Sequence, residues 1–146
     1  MQPKTYDEYL AEARQQKRNR KERPYVEPEH ELQVSCVNWF AYEYPKYKGL
    51  LFAVPNGGRR DAVTGGKLKA EGVVAGVSDL LLLIARGRYY GMCIEMKTEI
   101  GRQSEAQKEW QAAVEAQGYK YAVARSLQQF IQLINDYEHG QEEKEG

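Results

Sequence analysis

Two apolar runs joined by one short turn constrain the fold of this chain more than any other feature. The first run spans residues 77–84, the second spans residues 89–97, and residues 85–88 (Ala-Arg-Gly-Arg) separate them. A short polar turn of this kind lets two strands pair as antiparallel neighbours. The sequence therefore predicts a β-hairpin.

Charged residues sit where the two runs begin and end. Asp79 lies near the start of the first run, and Glu95 and Lys97 close the second. Side chains alternate faces along a strand, so Glu95 and Lys97 point the same way, and pairing can bring Asp79 beside Glu95. Two adjacent carboxylates repel each other, and burial increases the repulsion. A divalent cation removes the conflict, and hard oxygen ligands suit Mg²⁺ or Mn²⁺. The pattern indicates metal-assisted phosphodiester hydrolysis.

Length and composition predict one globular domain. The chain has 146 residues, of which 42% are hydrophobic and 29% charged, as in soluble proteins. No apolar stretch approaches the ~20 residues of a membrane span. The N-terminus lacks a signal-peptide pattern, so we expect a cytoplasmic protein. Cys36 and Cys93 are predicted to be buried reduced thiols, and His30 and His139 are too separated for a histidine metal centre.

The distribution of charge says more than its sum. The net charge is zero, with 21 basic and 21 acidic residues, which does not by itself indicate a nucleic-acid binder. Residues 14–23, however, are strongly basic and contain one acid. Such a run is either a solvated surface or a contact for phosphates. The candidate DNA-binding residues here are Arg14, Lys17, Arg18, Arg20 and Lys21.

Capping signals and periodicity predict the remaining elements. Helices are expected over 6–21, 29–43, 61–72, from Ser104 to about 117 and from Ser126 onward, with strands over 50–54 (buried) and 120–124. The predicted fold is α/β, a mixed central sheet flanked by helices with the acids near the sheet centre.

Four motifs occur in order along the chain. They are Pro55-Asn56-Gly57-Gly58, Gly76-Val77-Ser78-Asp79-Leu80, Ile94-Glu95-Met96-Lys97, and Ser104-x-x-Gln107-x-x-Trp110 followed by Gly118. Over residues 29–125 this ordered set resembles the VRR-NUC family, a branch of the PD-(D/E)XK nuclease superfamily. Val77-Ser78 stands where the superfamily name has a proline before the acid.

The resemblance implies a restriction-endonuclease-like core, in a VRR-NUC-like domain over residues 25–146 after a helical basic extension over residues 1–24. It also implies Mg²⁺- or Mn²⁺-dependent cleavage of DNA. Stand-alone members of the family are small phage or bacterial proteins, and some dimerise to cut four-way junctions. We therefore expect a homodimer, for which the apolar faces of residues 6–13 and 127–134 could supply the interface.

The resemblance also implies roles for individual residues. Asp79 and Glu95 would bind the metal together with the backbone carbonyl of Met96, and Lys97 would act on the attacking water or the phosphate. The family places a further acid on the first core helix, which would be Glu29 or, as the competing choice, Glu31. Gln107 would lie near the metal, or would serve only as the capping partner of Ser104.

Further predictions concern the loop after residue 55 and four aromatic side chains. Asn56, Arg59 and Arg60 either form a tight turn or contact phosphates. The tryptophans Trp39 and Trp110 are predicted in the core or an interface, and one of Tyr89 and Tyr90 should face inward.

Three functions are compatible with these residues. The first is a metal-dependent DNA endonuclease selective for Holliday junctions or other branched DNA. The second is a non-catalytic DNA-binding module with a nuclease fold, which would have no need of two acids beside phosphate. The third is a metal-dependent hydrolase of RNA or nucleotides. No helix-turn-helix or zinc-finger pattern is present.

Overall fold

Helices surround the strands of a single sheet. A computed structural model describes residues 4–18, 28–55, 62–98 and 100–140. The helices are α1 (Tyr6–Arg18), α2 (Pro28–Glu43), α3 (Ala62–Ala70), α4 (Glu105–Ala116) and α5 (Leu127–Glu138), with a 3₁₀ turn at Pro45–Tyr47. The strands are β1 (Leu51–Ala53), β2 (Leu80–Leu82), β3 (Met92–Met96) and β4 (Lys120–Ala124).

The four strands form a mixed sheet, as predicted, and they lie in it in sequence order. Strands β1 and β2 pair antiparallel, as do β2 and β3, whereas β3 and β4 are parallel. The predicted hairpin is confirmed: Arg86 and Tyr89 bridge across the turn, and Gly87 adopts φ +53°. Leu80 faces Ile94 in the β2–β3 register, so the preceding Asp79 lies across from Glu95.

One face of the sheet is the hydrophobic core. Alternate residues of β2 and β3 pack there against helices α2 and α5; these core residues are Leu80, Leu82, Met92, Ile94 and Met96 from the sheet, and Cys36, Trp39, Phe40, Phe130 and Ile134 from the helices. Helix α4 covers β4 on the other face, where the ring of Trp110 meets that of Tyr121. The acids project on this second face, beside α4.

Two predictions are wrong. The strand predicted as buried over 50–54 spans only Leu51–Ala53, and Phe52 is 38% exposed. Among the described strands β1 pairs only with β2, so it is an edge strand. The apolar face of residues 127–134 is not available for a dimer interface, because Phe130 and Ile134 are buried in the core.

Other local predictions are confirmed. The hydroxyl of Thr5 and the carboxylate of Glu8 cap each other's backbone N–H at the start of α1. Tyr89 packs against the core while Tyr90 is 68% exposed. Both cysteines are buried and free. The predicted end of the first helix, residues 19–21, and the predicted boundary at residue 24 lie outside the described residues. None of the described helices is long and apolar enough to cross a membrane.

Gly76, a few residues before β2, lets the backbone pack directly against helix α4. It adopts φ +86°, and a Cβ at this position would lie 2.4 Å from the carbonyl oxygen of Ala106. Since Ala106 belongs to the first turn of α4, the backbone of residue 76 touches the backbone of the helix. This contact holds the start of α4 next to the segment that carries Asp79.

We expect Gly76→Ala to destabilise the fold far more than Gly72→Ala. Both glycines have positive φ, +86° and +102°, but a Cβ at Gly72 would meet nothing within 4 Å. The left-handed conformation alone costs alanine about 1–2 kcal/mol, and the clash with α4 should add about 1–3 kcal/mol. Urea unfolding of both variants measures the difference. Equal losses would mean that Gly76 does not pack on α4 as described.

Candidate active site

Asp79 is fixed in place by the backbone of two neighbouring strands. The N–H of Met96 in β3 donates to Oδ2 of Asp79 at 2.7 Å. The backbone N–H of Val54, just after β1, donates to the backbone carbonyl of Asp79 at 2.9 Å. The Asp79 side chain thus takes the place of a strand carbonyl as acceptor where the β2–β3 ladder ends.

Glu95 is a carboxylate in the interior of the protein. It lies in β3, is 3% exposed, and accepts a hydrogen bond on Oε1 from Nε2 of Gln107 at 3.0 Å. The hydroxyl of Tyr121 lies 3.5 Å from its Oε2. The ammonium Nζ of Lys97 is 3.9 Å from Oε1. As the strand alternation predicts, Glu95 and Lys97 share one face, and each carboxylate oxygen of Glu95 has a polar neighbour.

The surroundings of Glu95 favour its protonated form. Burial, followed by hydrogen bonding and charge repulsion from Asp79, raises the pKa of Glu95 to about 8, although Lys97 acts in the opposite direction. Removal of a carboxylate from water and the proximity of a second acid both penalise the ionised state. The site therefore holds two acids that cannot both be ionised at low cost without a compensating positive charge.

Gln107 caps helix α4 and also contacts Glu95, while its place near a metal stays a prediction. Its Oε1 accepts from the backbone N–H of Ser104 at 2.9 Å, and Ser104 Oγ accepts from the backbone N–H of Gln107, which completes the capping box of α4. Its Nε2 is therefore free to donate to Glu95. An amide has both an acceptor and a donor end, so one side chain can serve the helix terminus and the acid together.

Sequence reasoning missed Tyr121 and Gln103. Nε2 of Gln103 donates to the Tyr121 hydroxyl at 3.2 Å and to Oε1 of Gln111 at 2.9 Å. The hydroxyl, having accepted from Gln103, directs its own hydrogen at Glu95. Burial raises the pKa of Tyr121 to about 12, which keeps it a donor. Alternation along β4 could have suggested that Tyr121 faces the acids, but not that it lies opposite Cys93 in β3.

Arg125 is a third residue that the sequence did not reveal. Its Nη1 donates to the backbone carbonyls of Thr98 and Gly101, each at 2.7 Å. The N–H of Lys97 donates to the carbonyl of Ala124, the residue before Arg125. The start of the β3–α4 loop, directly after Lys97, is thus attached to the end of β4.

Comparison with known proteins identifies the family of this chain. The family model of the VRR-NUC domain matches residues 4–128. The chain belongs to the VRR-NUC domain family. A solved structure named "VRR_NUC domain protein" superposes with a TM-score of 0.67 at 30% identity, covering 80% of this chain and 92% of that one. No curated protein matches the chain. The protein is thus a DNA-processing module with a nuclease fold.

The acidic centre of this VRR-NUC domain consists of two side chains, Asp79 and Glu95. Within the described ranges no three His, Cys, Asp or Glu side chains come together as a metal site. Glu29 is exposed in the first turn of α2 and contributes only the smallest of the charge effects that raise the pKa of Glu95. Glu31, in the same turn, is also exposed. Their roles, and that of the Met96 carbonyl, stay predictions.

Three of the predicted DNA contacts of the VRR-NUC domain lie on helix α1. Arg14 is exposed on α1, and Lys17 and Arg18 form the end of that helix. The remaining predicted contacts lie outside the described residues; they are Asn56, Arg59, Arg60, Arg20 and Lys21.

We expect Glu95→Gln to stabilise the metal-free protein, and to do so more at pH 9 than at pH 5. The folded pKa of about 8 lies above the ordinary value of 4.5, so the stability contributed by protonated Glu95 is complete at low pH and is lost as pH rises through 8. Glutamine mimics the protonated acid and avoids this loss, a few kcal/mol by linkage. Urea unfolding in EDTA measures the effect, with the exposed Glu115→Gln as control. The same difference at both pH values would contradict the burial of Glu95.

Proposed function

We propose that the protein is a Mg²⁺- or Mn²⁺-dependent DNA endonuclease that hydrolyses phosphodiester bonds. The observation that carries the proposal is the pairing of Asp79 with the buried Glu95 across β2 and β3, with Nζ of Lys97 3.9 Å from Glu95. A carboxylate buried beside a second acid, as Glu95 is beside Asp79, is costly to a protein unless it serves a purpose. Binding of a divalent cation is the purpose that fits two hard oxygen donors.

The donor set suits Mg²⁺ or Mn²⁺. Mg²⁺ is usually bound by one or two carboxylates and completes its coordination with waters and substrate phosphates. Asp79 and Glu95 would hold the ion, with the Met96 carbonyl and Glu29 as further proposed ligands. When bound, the ion would polarise the scissile phosphate and make the attacking water more acidic.

Three side chains of the protein would position the reacting groups and the acids. Lys97 is 12% exposed on the face of the acids, where its ammonium can orient the water or stabilise the charge that grows on the phosphate. Gln107 and Tyr121 contact opposite oxygens of Glu95 and restrict its rotation. Together with the bond from Met96 N–H to Asp79, these contacts keep both acids in place before DNA arrives.

One of the two alternative functions is less compatible with the site. A non-catalytic DNA-binding module would gain nothing from a buried Glu95 paired with Asp79, because two acids repel phosphate. A hydrolase of RNA or nucleotides would use the same residues. A cleavage assay that includes RNA among its substrates distinguishes such a hydrolase from a DNA endonuclease.

We further propose that the enzyme acts as a homodimer on branched DNA, such as a four-way junction. Symmetric cleavage of a junction needs two sites related by a two-fold axis. With α5 buried in the core, the interface candidate that remains is α1, where Tyr9 is 36% exposed beside Tyr42 of α2. The basic residues Arg14, Lys17 and Arg18 follow on the same helix and would flank the DNA.

Cleavage should require a divalent metal and both acids. We expect activity in Mg²⁺ or Mn²⁺, little in Ca²⁺ and none in EDTA. Asp79→Asn should abolish cleavage while the fold and DNA binding persist, and Lys97→Ala should slow it about 10²–10³-fold. The assay uses labelled duplex, flap, four-way junction, single-stranded DNA and RNA. Wild-type turnover by Asp79→Asn, or full cleavage in EDTA, would eliminate the proposed mechanism.

Deletion of residues 1–24 should weaken DNA binding and reduce its salt dependence, because the positive charges that displace counterions are lost. Binding titrations between about 50 and 200 mM salt measure the slope, and sedimentation of the full chain measures its oligomeric state. The dimer proposal fails if the protein is a monomer at micromolar concentration and cuts junction and linear duplex equally well.

A further inference from the structure

The loop between β3 and α4 presents one large apolar side chain to solvent. Ile100 is 91% exposed, the highest exposure of any large hydrophobic residue in the described part of the chain. Burial of an isoleucine side chain stabilises a fold by about 1.5–3 kcal/mol, and this residue makes almost none of that contribution. Its place in the loop is therefore not explained by the packing of the fold.

The loop is braced on both sides of Ile100. Arg125 Nη1 donates to the carbonyl oxygens of Thr98 and Gly101 at 2.7 Å each, and the N–H of Gly101 donates to the Thr98 carbonyl at 3.2 Å. A single guanidinium thus holds the residues that precede and follow the tip. Ile100 is therefore exposed between two residues, Thr98 and Gly101, that Arg125 holds.

This loop lies next to the proposed catalytic lysine. Thr98 follows Lys97 directly, and a Cβ at Gly101 would lie 3.3 Å from Cδ of Lys97. Ile100 is three residues from Lys97, so their Cα atoms are at most about 11 Å apart. Measured along the helix axis of B-DNA, that distance spans only about three base pairs, at ~3.4 Å each. Ile100 therefore lies within a few base pairs' length of DNA whose scissile phosphate is at Lys97.

We propose that Ile100 is a wedge that inserts between bases of DNA next to the scissile phosphate. This inference rests on the proposed nuclease function. An aliphatic side chain cannot pair with phosphate, whereas apolar side chains such as isoleucine do enter base steps and unstack them. Arg102, exposed two residues later, supplies a positive charge for the adjacent backbone.

The wedge gives the enzyme a physical means of preferring branched DNA. Unstacking a step within a continuous duplex costs a few kcal/mol. At a branch point the stack is already interrupted on one side, so insertion costs less there. An apolar side chain at this position therefore favours a junction over a linear duplex without reading any base sequence.

The test places 2-aminopurine, a base whose fluorescence rises on unstacking, on each side of the mapped cleavage site in a four-way junction. Protein is added in Ca²⁺ to allow binding with little cleavage, and cleavage rates on junction and duplex are measured separately in Mg²⁺. We expect Ile100→Ala to abolish the fluorescence rise and to lower the preference of kcat/KM for the junction about tenfold, with duplex cleavage within about twofold of wild type. Ile100→Met should retain both properties, because it keeps an apolar wedge.

Leu83→Ala is the matched control. Leu83 is apolar and 54% exposed, but it lies at the end of β2 away from Asp79, so its variant should behave as wild type. Ile100→Ala with an unchanged fluorescence rise and junction preference would overturn the wedge. Wild-type protein that binds and cuts DNA without any fluorescence rise would overturn the wedge and leave the nuclease intact. Wild-type protein that neither binds nor cuts DNA would overturn the proposed function and the wedge with it.

Discussion

The pairing of Asp79 with Glu95 is the constraint on which the rest of the structure depends. The two acids are adjacent only because β2 and β3 pair in one register, with Leu80 opposite Ile94. A shift of one residue would move Glu95 to the core face and break the bond from Met96 N–H to Asp79. The alternation of apolar side chains prevents that shift, since it would also expose the core residues of both strands. The same pattern that builds the core therefore sets the geometry of the site.

Burial of Glu95 opposes folding, and the burial of the hydrophobic core offsets its cost. The raised pKa of Glu95 corresponds to a cost of a few kcal/mol when the acid is ionised. The opposite face of β2 and β3 buries Leu80, Leu82, Met92, Ile94 and Met96, none of which is more than 2% exposed. At about 1.5–3 kcal/mol for each side chain, their combined burial exceeds that cost. Strand β3 can hold a buried acid because its neighbours in the same strand anchor it.

Local features of the sequence predicted most of the fold and the centre of the site. Capping boxes at Thr5 and Ser104, the turn at Gly87 and the alternation that places Glu95 with Lys97 all depend on residues a few positions apart. What the sequence did not reveal depends on distant pairs. The position of Tyr121 requires the parallel register of β4 on β3, and that of Arg125 requires the path of the intervening loop and helix. The sequence suggests a buried strand at β1 and an apolar helix face at α5 that is left free. Only the sheet order shows that β1 is an edge strand, and only the packing of α5 shows that its apolar face belongs to the core.

Gln107 shows why a capping residue and a residue of the site need not be alternatives. A capping box fixes the amide plane, because Oε1 must face the N–H of Ser104. Once that plane is fixed, the direction of Nε2 is fixed as well, and it meets Glu95 at 3.0 Å. The contact of Gly76 with Ala106 sets where this first turn of α4 lies relative to Asp79. The capping of α4, its backbone contact with Gly76 and the orientation of Glu95 therefore depend on one another. A change to any of the three should move the carboxylate of Glu95, even where it leaves the acids themselves unaltered.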